Sequence, residues 1–371
     1  MLDLAARVAL RGAGRVEPNP MVGAVLVREG AVIGVGHHRV FGGLHAEREA
    51  LADCRRRGND PRGATVYVTL EPCRHFGKQP PCTDALVEAG VARVVYARED
   101  PAGVSGGGAE VLRKAGIACE RSEESWLARG INEPFVKRVK TGLPWVIAKW
   151  AQTIDGRIAT RSGDSKWISG ARARRRVHRI RARVDAVLTG IGTVIADDPM
   201  LTARGATARR VAKRIVADTD LDLSPESALA KSAGQSPVIV ACDRALLTAE
   251  ISKDRRDALT SRGVRLLGVA PARRGVGGTG VDLRALFEAL AREEGVASVL
   301  VESGPGLLGS LFEHDLVDEA VVYIAPMLLG DEMAKSVAVG RVAEQLSQAR
   351  RFDLWRVKPL GGDVELTYRR R

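Results

Sequence analysis

The pattern that most restricts the fold is an alternation of helix and strand signals within residues 45–97. Apolar residues at helical spacing occupy residues 45–58, and a β-branched strand follows at residues 64–70. Residues 80–90 begin with proline and end with glycine, which is typical of a helix, and residues 91–97 form a further strand. Strands joined by helical crossovers predict an α/β sheet.

The same alternation resumes after a basic stretch that ends in Thr-Gly-Leu-Pro at residues 141–144. We place a domain boundary there and predict two domains, residues 1–141 and residues 142–371. The second domain has six strand candidates, at residues 145–151, 186–190, 213–218, 237–242, 297–302 and 320–326. A Gly-rich segment at residues 273–280 is predicted to be a surface loop. The expected fold class is therefore α/β in both domains.

The charge balance favours anionic partners. Lys and Arg number 57 against 45 Asp and Glu, which gives a net charge of +12. Aromatic residues make up only 4% of the chain, and this scarcity argues against a protein that stacks single-stranded nucleic acid. The N-terminal segment lacks the pattern of a signal peptide, and no apolar run approaches the roughly 18 residues of a membrane-spanning helix. We therefore expect a cytoplasmic protein that does not enter the membrane.

Three residues with metal-ligating side chains stand in a distinctive order. His45 begins the triplet His-Ala-Glu, Cys73 follows Glu47 by 26 residues, and Cys82 comes next. One His and two Cys form a three-ligand zinc set, and a catalytic zinc keeps its fourth position open for water. Cys82 stands at the start of a predicted helix, where the helix dipole stabilises a thiolate. This order is the signature of zinc deaminases, in which the glutamate is a general acid and base and not a ligand.

Two questions about this set depend on the local geometry. On a regular helix the side chains of His45 and Glu47 diverge by about 200°, so both reach one site only in a first-turn arrangement. A structural zinc is the alternative, and it needs a fourth protein ligand, for which Cys54 and His75 are the candidates. The five cysteines are too few and too scattered for a disulfide framework.

The first domain resembles the deaminase half of the bifunctional riboflavin-biosynthesis deaminase–reductases, in the segments EPNPMVGAVLV, HAE and TLEPCRHFGKQPPCTDALVEAGVARVV. Eight residues separate Cys73 from Cys82, whereas base-editing and cytidine deaminases usually have two, so the longer spacer is the discriminating feature. The resemblance implies a cytidine-deaminase-like α/β/α domain in which His45, Cys73 and Cys82 bind zinc and Glu47 shuttles the proton. It also implies contacts with a pyrimidine substrate from Asn19, His38 and Lys78.

Two positions of this domain depart from the family pattern. Arg74 stands where the family often has a small residue. The sequence DPAGVSGGG at residues 100–108 replaces the more usual DPNPxVxGxG. Contacts from that loop are therefore left open, whereas the metal set is intact.

A basic segment follows in the second domain. Seven arginines stand within the thirteen residues 171–183, and we expect most of them on a solvated helix face. At helical spacing Arg174, Val177 and Arg181 share one face, and an arginine turned inward there would bind a phosphate through its two-pronged guanidinium. The alternative is an RNA-binding patch.

A strand, a glycine turn and a helix are predicted at residues 297–312. Gly304, Gly306 and Gly309 form the pattern GxGxxG, and backbone N–H groups at such a helix start bind anions. The motif stands late in its domain, and no acidic residue ends the next strand about 20 residues on. An ordinary Rossmann site is therefore not predicted.

The second domain resembles the reductase half of the same family, whose fold is like dihydrofolate reductase, in the segments TIDGRIA, SGDSKWIS, VLTGIGTVIADDPMLTAR, VESGPGLLGSL and VDEAVVYIAPMLLG. The resemblance implies NADPH contacts from Ala151, Trp167, Thr193, Asp197, Thr219, Gly304, Pro305, Gly306, Leu307, Leu308, Gly309 and Ser310. It implies substrate contacts from Ser165, Arg181, Leu201, Arg204 and Glu302. Core packing is the alternative for Trp167 and Leu201.

Together the resemblances imply a bifunctional enzyme with Zn²⁺ and NADPH as cofactors. The first domain would remove the 2-amino group of 2,5-diamino-6-ribosylamino-4(3H)-pyrimidinone 5′-phosphate by zinc-assisted hydrolysis. The second would reduce the ribosyl side chain, giving 5-amino-6-ribitylaminouracil 5′-phosphate. The expected partner is this small phosphorylated pyrimidine, with no nucleic acid and no membrane.

Two other function classes stay open at this point. One is a nucleic-acid deaminase that uses the arginine run as its RNA surface, against which the long cysteine spacer and the second domain argue. The other is a non-catalytic binding protein with a structural zinc, which a filled fourth ligand position would favour. The sequence also leaves open whether the chain forms a homo-oligomer and whether an intermediate passes between the sites.

Overall fold

A computed structural model describes residues 1–208, 210–273, 279–340 and 343–371. The chain divides into two compact units, Met1–Gly142 and Leu143–Arg371, one residue beyond the predicted boundary. Most of the Gly-rich segment predicted as a surface loop, residues 274–278, lies outside the described residues. No helix within the described ranges is long and apolar enough to cross a membrane.

The first unit is a five-stranded mixed sheet with its helices. The strands are β1 (Gly23–Arg28), β2 (Ala31–His37), β3 (Thr65–Val68), β4 (Arg93–Tyr96) and β5 (Ala118–Arg121). The helices are α1 (Leu2–Ala9), α2 (Ala46–Arg56), α3 (Cys82–Glu88), α4 (Gly108–Lys114), α5 (Trp126–Gly130) and α6 (Glu133–Thr141). The order is β2-β1-β3-β4-β5, in which β1 is antiparallel to β2 and β3, and β3, β4 and β5 are parallel.

Alternation along the strands sorts their side chains between two helix layers. One set packs with α2, α3 and α4 and comprises Ala24, Leu26, Val66, Val68, Val94 and Tyr96. The intervening side chains, among them Tyr67 and Val95, pack with α1 and α5 instead. Because successive side chains of a strand point to opposite faces, this pattern produces three layers, α/β/α.

Among the residues that the structure describes, the second unit contains one nine-stranded sheet and two two-stranded sheets. Its strands are β6 (Trp145–Gln152), β7 (Arg157–Ala159), β8 (Ala186–Gly190), β9 (Lys213–Ala217), β10 (Val238–Asp243), β11 (Arg265–Val269), β12 (Pro271–Arg273), β13 (Thr279–Val281), β14 (Ser298–Glu302), β15 (Glu319–Ile324), β16 (Lys335–Ser336), β17 (Phe352–Leu360) and β18 (Asp363–Arg370). Its helices are α7 (Ala171–Arg181), α8 (Ile191–Asp197), α9 (Ala228–Lys231), α10 (Lys253–Ser261), α11 (Leu283–Glu293) and α12 (Pro305–Glu313). The large sheet has the order β11-β10-β9-β8-β14-β6-β15-β18-β17, while β12 pairs with β13 and β7 with β16.

Apolar helices cover both faces of this sheet. Leu286 and Phe287 of α11 and Leu308 of α12 belong to the core on one face. Leu229 of α9 and Leu259 of α10 belong to the core on the other. Since β8, β9, β14 and β6 are parallel, their carboxyl ends open at the same edge, which is where open α/β sheets place their ligands.

The six predicted strands of this domain are confirmed as β6, β8, β9, β10, β14 and β15. The C-terminal hairpin β17–β18 was not predicted. Its inward positions on β18 are polar, with Asp363, Glu365 and Thr367 all buried. The apolar residues Val364, Leu366 and Tyr368 do alternate along β18, but they lie on its half-exposed face, which is the reverse of the usual pattern.

Candidate active sites

His45, Cys73 and Cys82 form one compact cluster in the first unit. The His45 Nδ1 atom lies 3.4 Å from the Sγ of Cys73 and 3.3 Å from the Sγ of Cys82. All three ligand atoms lie within 4.8 Å of one another. One imidazole nitrogen and two thiols match the donor set of a tetrahedral zinc with one position left for another ligand. The residues therefore fit a zinc ion.

The helix starts explain how these side chains reach one place. His45 is the residue before α2 and has an extended backbone, with φ −73° and ψ 161°. Glu47 is in the first turn of α2, so the divergence expected on a regular helix does not arise. Cys82 is the first residue of α3, and its backbone N–H donates to the Sγ of Cys73 at 3.4 Å. The first-turn geometry that the sequence required is present.

Glu47 is a buried carboxyl beside the ligand cluster, with 3% of its surface exposed. Burial, and then the negative charge of Cys73, raise the pKa of Glu47 to about 7, although His45 opposes the shift. A carboxyl group with a pKa near neutrality both accepts and donates a proton at physiological pH. The hydrogen bond between the two thiols lowers the pKa of Cys73.

The alternative of a structural zinc lacks its fourth ligand. Among the described residues, the group of His, Cys, Asp and Glu side chains close enough to share the metal contains His45, Cys73 and Cys82 alone. Cys54 is buried elsewhere and contacts the carbonyl of Asn59. The geometry thus leaves one zinc position for a ligand from outside the chain.

A cavity of about 380 Å³ adjoins the cluster and is lined by His45, Glu47 and Cys73. The three predicted substrate residues, Asn19, His38 and Lys78, also line it. The Nδ2 atom of Asn19 lies 3.4 Å from the Nε2 of His38, whose Nδ1 lies 2.9 Å from the carbonyl oxygen of Leu44. Lys78 places its Nζ 4.0 Å from the centre of the Phe41 ring.

Sequence reasoning missed Glu71, which organises the loop of residues 100–108. Its buried carboxylate accepts hydrogen bonds from the backbone N–H groups of Asp100 at 3.2 Å, Gly107 at 3.2 Å and Ala109 at 2.9 Å. Asp100 and Ser105 of that loop line the cavity and are joined by a 2.6 Å hydrogen bond. The sequence feature that could have identified Glu71 is its position two residues before the predicted zinc ligand Cys73.

A second cavity, of about 870 Å³, lies at the carboxyl edge of the parallel strands in the second unit. Gly190 ends β8, Ala217 ends β9 and Glu302 ends β14, and all three line it. Most of the residues predicted for NADPH and substrate also line it: Ala151, Ser165, Trp167, Arg181, Thr193, Asp197, Leu201, Arg204, Glu302, Gly304, Pro305, Gly306, Leu307 and Ser310.

Three residues predicted for NADPH do not line this cavity. Leu308 is fully buried in the core. Gly309 packs so closely that a β-carbon there would lie 1.9 Å from the Val339 carbonyl oxygen, so this glycine serves helix packing. Thr219 follows β9, is 6% exposed, and its hydroxyl has no hydrogen-bond partner in the described part of the chain.

An ion pair forms part of the wall of the second cavity. Arg181 donates from Nε to Glu302 Oε1 at 2.6 Å and from Nη2 to Oε2 at 3.1 Å, and Lys149 Nζ lies 3.6 Å from Oε2. Burial raises the pKa of Glu302, but the positive charges of Arg181 and Lys149 outweigh it and hold the pKa at about 2. The guanidinium fork of Arg181 is therefore engaged by Glu302, and the prediction that an inward arginine of this helix binds a phosphate stays a prediction.

Core packing was the alternative role for Trp167 and Leu201, and the structure gives a different answer for each residue. Trp167 is 67% exposed, lines the cavity and stacks under the guanidinium of Arg174 at 4.6 Å, so core packing is wrong for it. Leu201 is 3% exposed, packs in the core and also lines the cavity.

The cavity wall fits an anionic dinucleotide. Gly304 precedes α12, Pro305 begins it, and the Gly304 N–H donates to the Thr193 Oγ1 at 3.1 Å. The N-terminus of a helix is a favourable place for phosphates. Cations outnumber carboxylates in the lining, with Lys149, Lys166, Arg174, Arg181, Arg204 and Lys335 against Asp197, Asp198 and Glu302. Of these, Lys149, Lys166 and Lys335 were not predicted, and neither was His178, whereas the sequence analysis named Arg174 together with Arg181 on one face of the arginine-rich helix.

Comparisons with known proteins identify the family. The family described as "Cytidine and deoxycytidylate deaminase zinc-binding region" matches residues 1–98, and the "RibD C-terminal domain" matches residues 144–366. The riboflavin biosynthesis protein RibD of Aquifex aeolicus is 36% identical over 371 residues, which cover 100% of this chain and 97% of that protein. The chain belongs to the RibD family.

Solved structures of RibD proteins agree over the whole chain. Form 1 of Acinetobacter baumannii RibD is 35% identical, with a TM-score of 0.80 over 100% of this chain and 98% of that one. A structure from Thermotoga maritima, described as a diaminohydroxyphosphoribosylaminopyrimidine deaminase and 5-amino-6-(5-phosphoribosylamino)uracil reductase, is 33% identical with a TM-score of 0.81. It covers 100% of this chain and 97% of that structure.

Membership of the RibD family confirms several predictions from the sequence. The fold class is a cytidine-deaminase-like domain followed by a RibD reductase domain. The enzyme class joins a hydrolase to an oxidoreductase in riboflavin biosynthesis, with zinc and NADPH as cofactors.

Proposed function

We propose that the unit Met1–Gly142 carries the deaminase activity and the unit Leu143–Arg371 the reductase activity. The substrate is 2,5-diamino-6-ribosylamino-4(3H)-pyrimidinone 5′-phosphate, which first loses its 2-amino group and then has its ribosyl side chain reduced to ribityl. The observation that supports the proposal is that the chain contains two cavities with chemically different linings. The described residues that line the cavity beside the His-Cys-Cys cluster all belong to the first unit, and those that line the cation-rich cavity all belong to the second.

In the deaminase cavity, His45, Cys73 and Cys82 hold the metal. Zinc bound there supplies a Lewis acid that lowers the pKa of water. Glu47 accepts a proton from the attacking water and delivers protons to the ring and to the leaving ammonia, since its pKa near 7 suits both transfers. Burial of its carboxyl keeps this proton away from bulk solvent.

The other polar residues of the deaminase cavity bind and orient the pyrimidine. Asn19 and His38 face the site as a hydrogen-bonded pair. Burial lowers the pKa of His38, so it serves as a neutral hydrogen-bonding group. Lys78 carries a positive charge into the cavity wall, where it attracts an anionic substrate.

In the reductase cavity, the start of α12 and the neighbouring Thr193 hold the cofactor phosphates. NADPH supplies the hydride when it is bound. Ser165 and Arg204 contact the substrate, and Glu302 accepts hydrogen bonds from its hydroxyl groups with the oxygen lone pairs that Arg181 leaves free. Arg181 keeps Glu302 ionised and oriented, which is a different role from direct phosphate binding.

The proposal also covers partners and location. The partner is a small phosphorylated pyrimidine, the location is the cytoplasm, and neither nucleic acid nor membrane takes part. Against an RNA surface on α7, Arg174 is stacked on Trp167 and Arg181 is paired with Glu302. Titration with single-stranded RNA at several salt concentrations tests this, because a specific binder shows a steep dependence of affinity on salt.

The direct experiment is incubation of purified protein with the diaminopyrimidine substrate, with and without NADPH. Without NADPH we expect the deaminated ribosyl compound and ammonia. With NADPH we expect the ribityl compound and oxidation of one NADPH per molecule. Ammonia release without any NADPH oxidation would contradict the proposed role of the second unit, and reduction before deamination would contradict the order of steps.

A further inference from the structure

His178 is a half-buried histidine of α7 that lines the reductase cavity and that neither a motif nor the family resemblance singled out. It lies one turn before Arg181 on the same helix. Its ring contacts the backbone of residues 202–204, and Leu201 and Arg204 line the same cavity and are two of the substrate contacts that the family resemblance implies.

Two side chains of α7 hold this segment by its backbone. The backbone N–H of Arg204 donates a hydrogen bond to His178 Nδ1 at 3.2 Å. Two residues earlier, the carbonyl of Thr202 accepts a hydrogen bond from Arg181 Nη1 at 3.0 Å. The segment begins at Leu201, whose φ of 53° is uncommon for a residue with a side chain, so its conformation needs such support.

The Arg204 side chain itself is exposed and reaches the cavity, and no hydrogen bond or ion pair engages its guanidinium in the described ranges. The point from which this side chain projects is therefore set by the contacts of its backbone. The hydrogen bond to His178 is the contact that fixes this backbone at Arg204.

We infer that His178 is a positioning residue for the reductase: its neutral imidazole holds the backbone of Arg204 so that the guanidinium faces the anionic substrate. A backbone N–H can only donate, so Nδ1 must accept, and an imidazole protonated on both nitrogens has no acceptor left. Positioning by His178 therefore fails when the ring becomes charged. The inference rests on the proposed function, since it takes Arg204 to be a substrate contact.

The surroundings of the ring favour the neutral form. Burial, and then the positive charges of Arg181 and Arg204, lower the pKa of His178. The carbonyl of Thr202 and the carboxylate of Glu302, which faces the ring from β14, act in the opposite direction. Because the net shift is downward from 6.5, the hydrogen bond is intact at neutral pH and is lost as the pH falls through this lowered pKa.

The test measures steady-state reduction of supplied deaminated substrate by NADPH in the full-length protein, from pH 8 to pH 5. His178→Asn keeps an acceptor in a similar place but does not titrate, whereas His178→Leu has none. We expect His178→Leu to raise the KM for substrate up to about tenfold at pH 7.5, the scale of one net hydrogen bond, with the KM for NADPH unchanged. His178→Asn is expected to restore the KM.

The pH profile separates positioning from a purely structural role. In the wild type the substrate KM rises as the pH falls through the lowered pKa of His178, and in His178→Asn this rise is reduced to the part caused by titration of the substrate phosphate. A profile for His178→Asn identical to the wild type, or an unchanged KM in His178→Leu, overturns the inference. Thermal melting of each variant at pH 7.5 verifies that the fold is retained.

Arg204→Ala distinguishes this failure from failure of the proposed function. If Arg204 contacts substrate and His178 positions it, Arg204→Ala raises the substrate KM and adding His178→Leu raises it much less than in the wild-type background. If Arg204→Ala leaves the KM unchanged, the substrate role proposed for Arg204 is wrong. If Arg204→Ala raises the KM and the effect of His178→Leu is fully additive, the positioning role is wrong.

Discussion

Arg181 and Glu302 stand 121 positions apart in the sequence and form a two-pronged ion pair, with 13% and 11% of their side chains exposed. One residue is the last of α7 and the other the last of β14. The pair therefore ties a helix to the carboxyl end of a central strand at the wall of the reductase cavity. Its charges and hydrogen bonds are matched, so removal of one partner leaves a buried charge without its counterpart.

We expect Arg181→Ala to lower the free energy of unfolding of the second unit by about 3 kcal/mol, the cost of breaking a buried pair. Chemical denaturation followed by circular dichroism measures it. Arg175 lies exposed on the same helix, and Arg175→Ala is the control, with an expected change within about 0.5 kcal/mol. Equal stability of the two variants would show that Lys149, which also faces Glu302, is sufficient.

The same pair makes stability depend on acid pH. The pKa of Glu302 is about 2 in the folded protein against 4.5 ordinarily, so the stabilisation is present above pH 4.5 and is lost as the pH falls from there towards 2. We expect the unfolding free energy of the wild type to exceed that of Glu302→Gln by a constant amount between about pH 7 and pH 5. Below that range the difference should shrink. A difference that stays constant down to pH 3 would contradict the low pKa.

The fold was predictable where local pattern and burial agree. Apolar strands such as β8 and β14 appear in the sequence as short β-branched runs and lie in the core of the sheet. β18 was missed although Val364, Leu366 and Tyr368 alternate with polar residues in its sequence. Its buried residues are the polar ones: Glu365 is fully buried and accepts hydrogen bonds from Arg176, Arg356 and Tyr323. These partners come from three other elements, so the strand's own sequence does not show that its polar face is the inward one.

The residues of the candidate sites also differ in whether the sequence alone could predict them. The metal cluster was predictable because His45, Glu47, Cys73 and Cys82 carry distinctive side chains in a distinctive order. The pairing of Arg181 with Glu302 was not, because it depends on which helix face meets which strand end. At Gly309 the sequence predicted a cofactor contact because the residue belongs to a phosphate-binding pattern. In the structure this glycine instead allows close packing against the backbone of Val339.

Metal content tests the ligand cluster. Purified protein should hold about one zinc per chain, and Cys82→Ser should lose both zinc and deamination, because two protein ligands hold zinc much less tightly than three. Cys119→Ser is the control, since that thiol is outside the cluster and should leave the zinc content unchanged. Metal analysis after dialysis against a chelator gives the answer, and full zinc retention in Cys82→Ser would exclude it as a ligand.

Glu47→Gln should keep zinc and lose deamination, because the amide cannot accept the proton. The expected loss in kcat is at or above the upper end of the roughly 10²–10⁴-fold range for general acid–base catalysis. Reduction of supplied deaminated substrate should be unchanged. Glu49→Gln removes a carboxylate from the same turn that pairs with Arg39 instead, and it should deaminate normally. Deamination by Glu47→Gln within tenfold of the wild type would assign proton transfer to another group.

The division of the chain makes a final prediction. Every described residue that lines the reductase cavity comes after Leu143, and the described residues of the apolar clusters on both faces of the large sheet also belong to the second unit. A fragment of residues 143–371 has a size at which single domains bury a sufficient core. We expect it to fold, to bind NADPH, to contain no zinc and to reduce the deaminated intermediate. NADPH binding is measured by fluorescence and reduction by loss of NADPH absorbance. A folded fragment that binds NADPH but does not reduce the intermediate would show that catalysis in the second unit depends on residues of the first unit or of another copy of the chain.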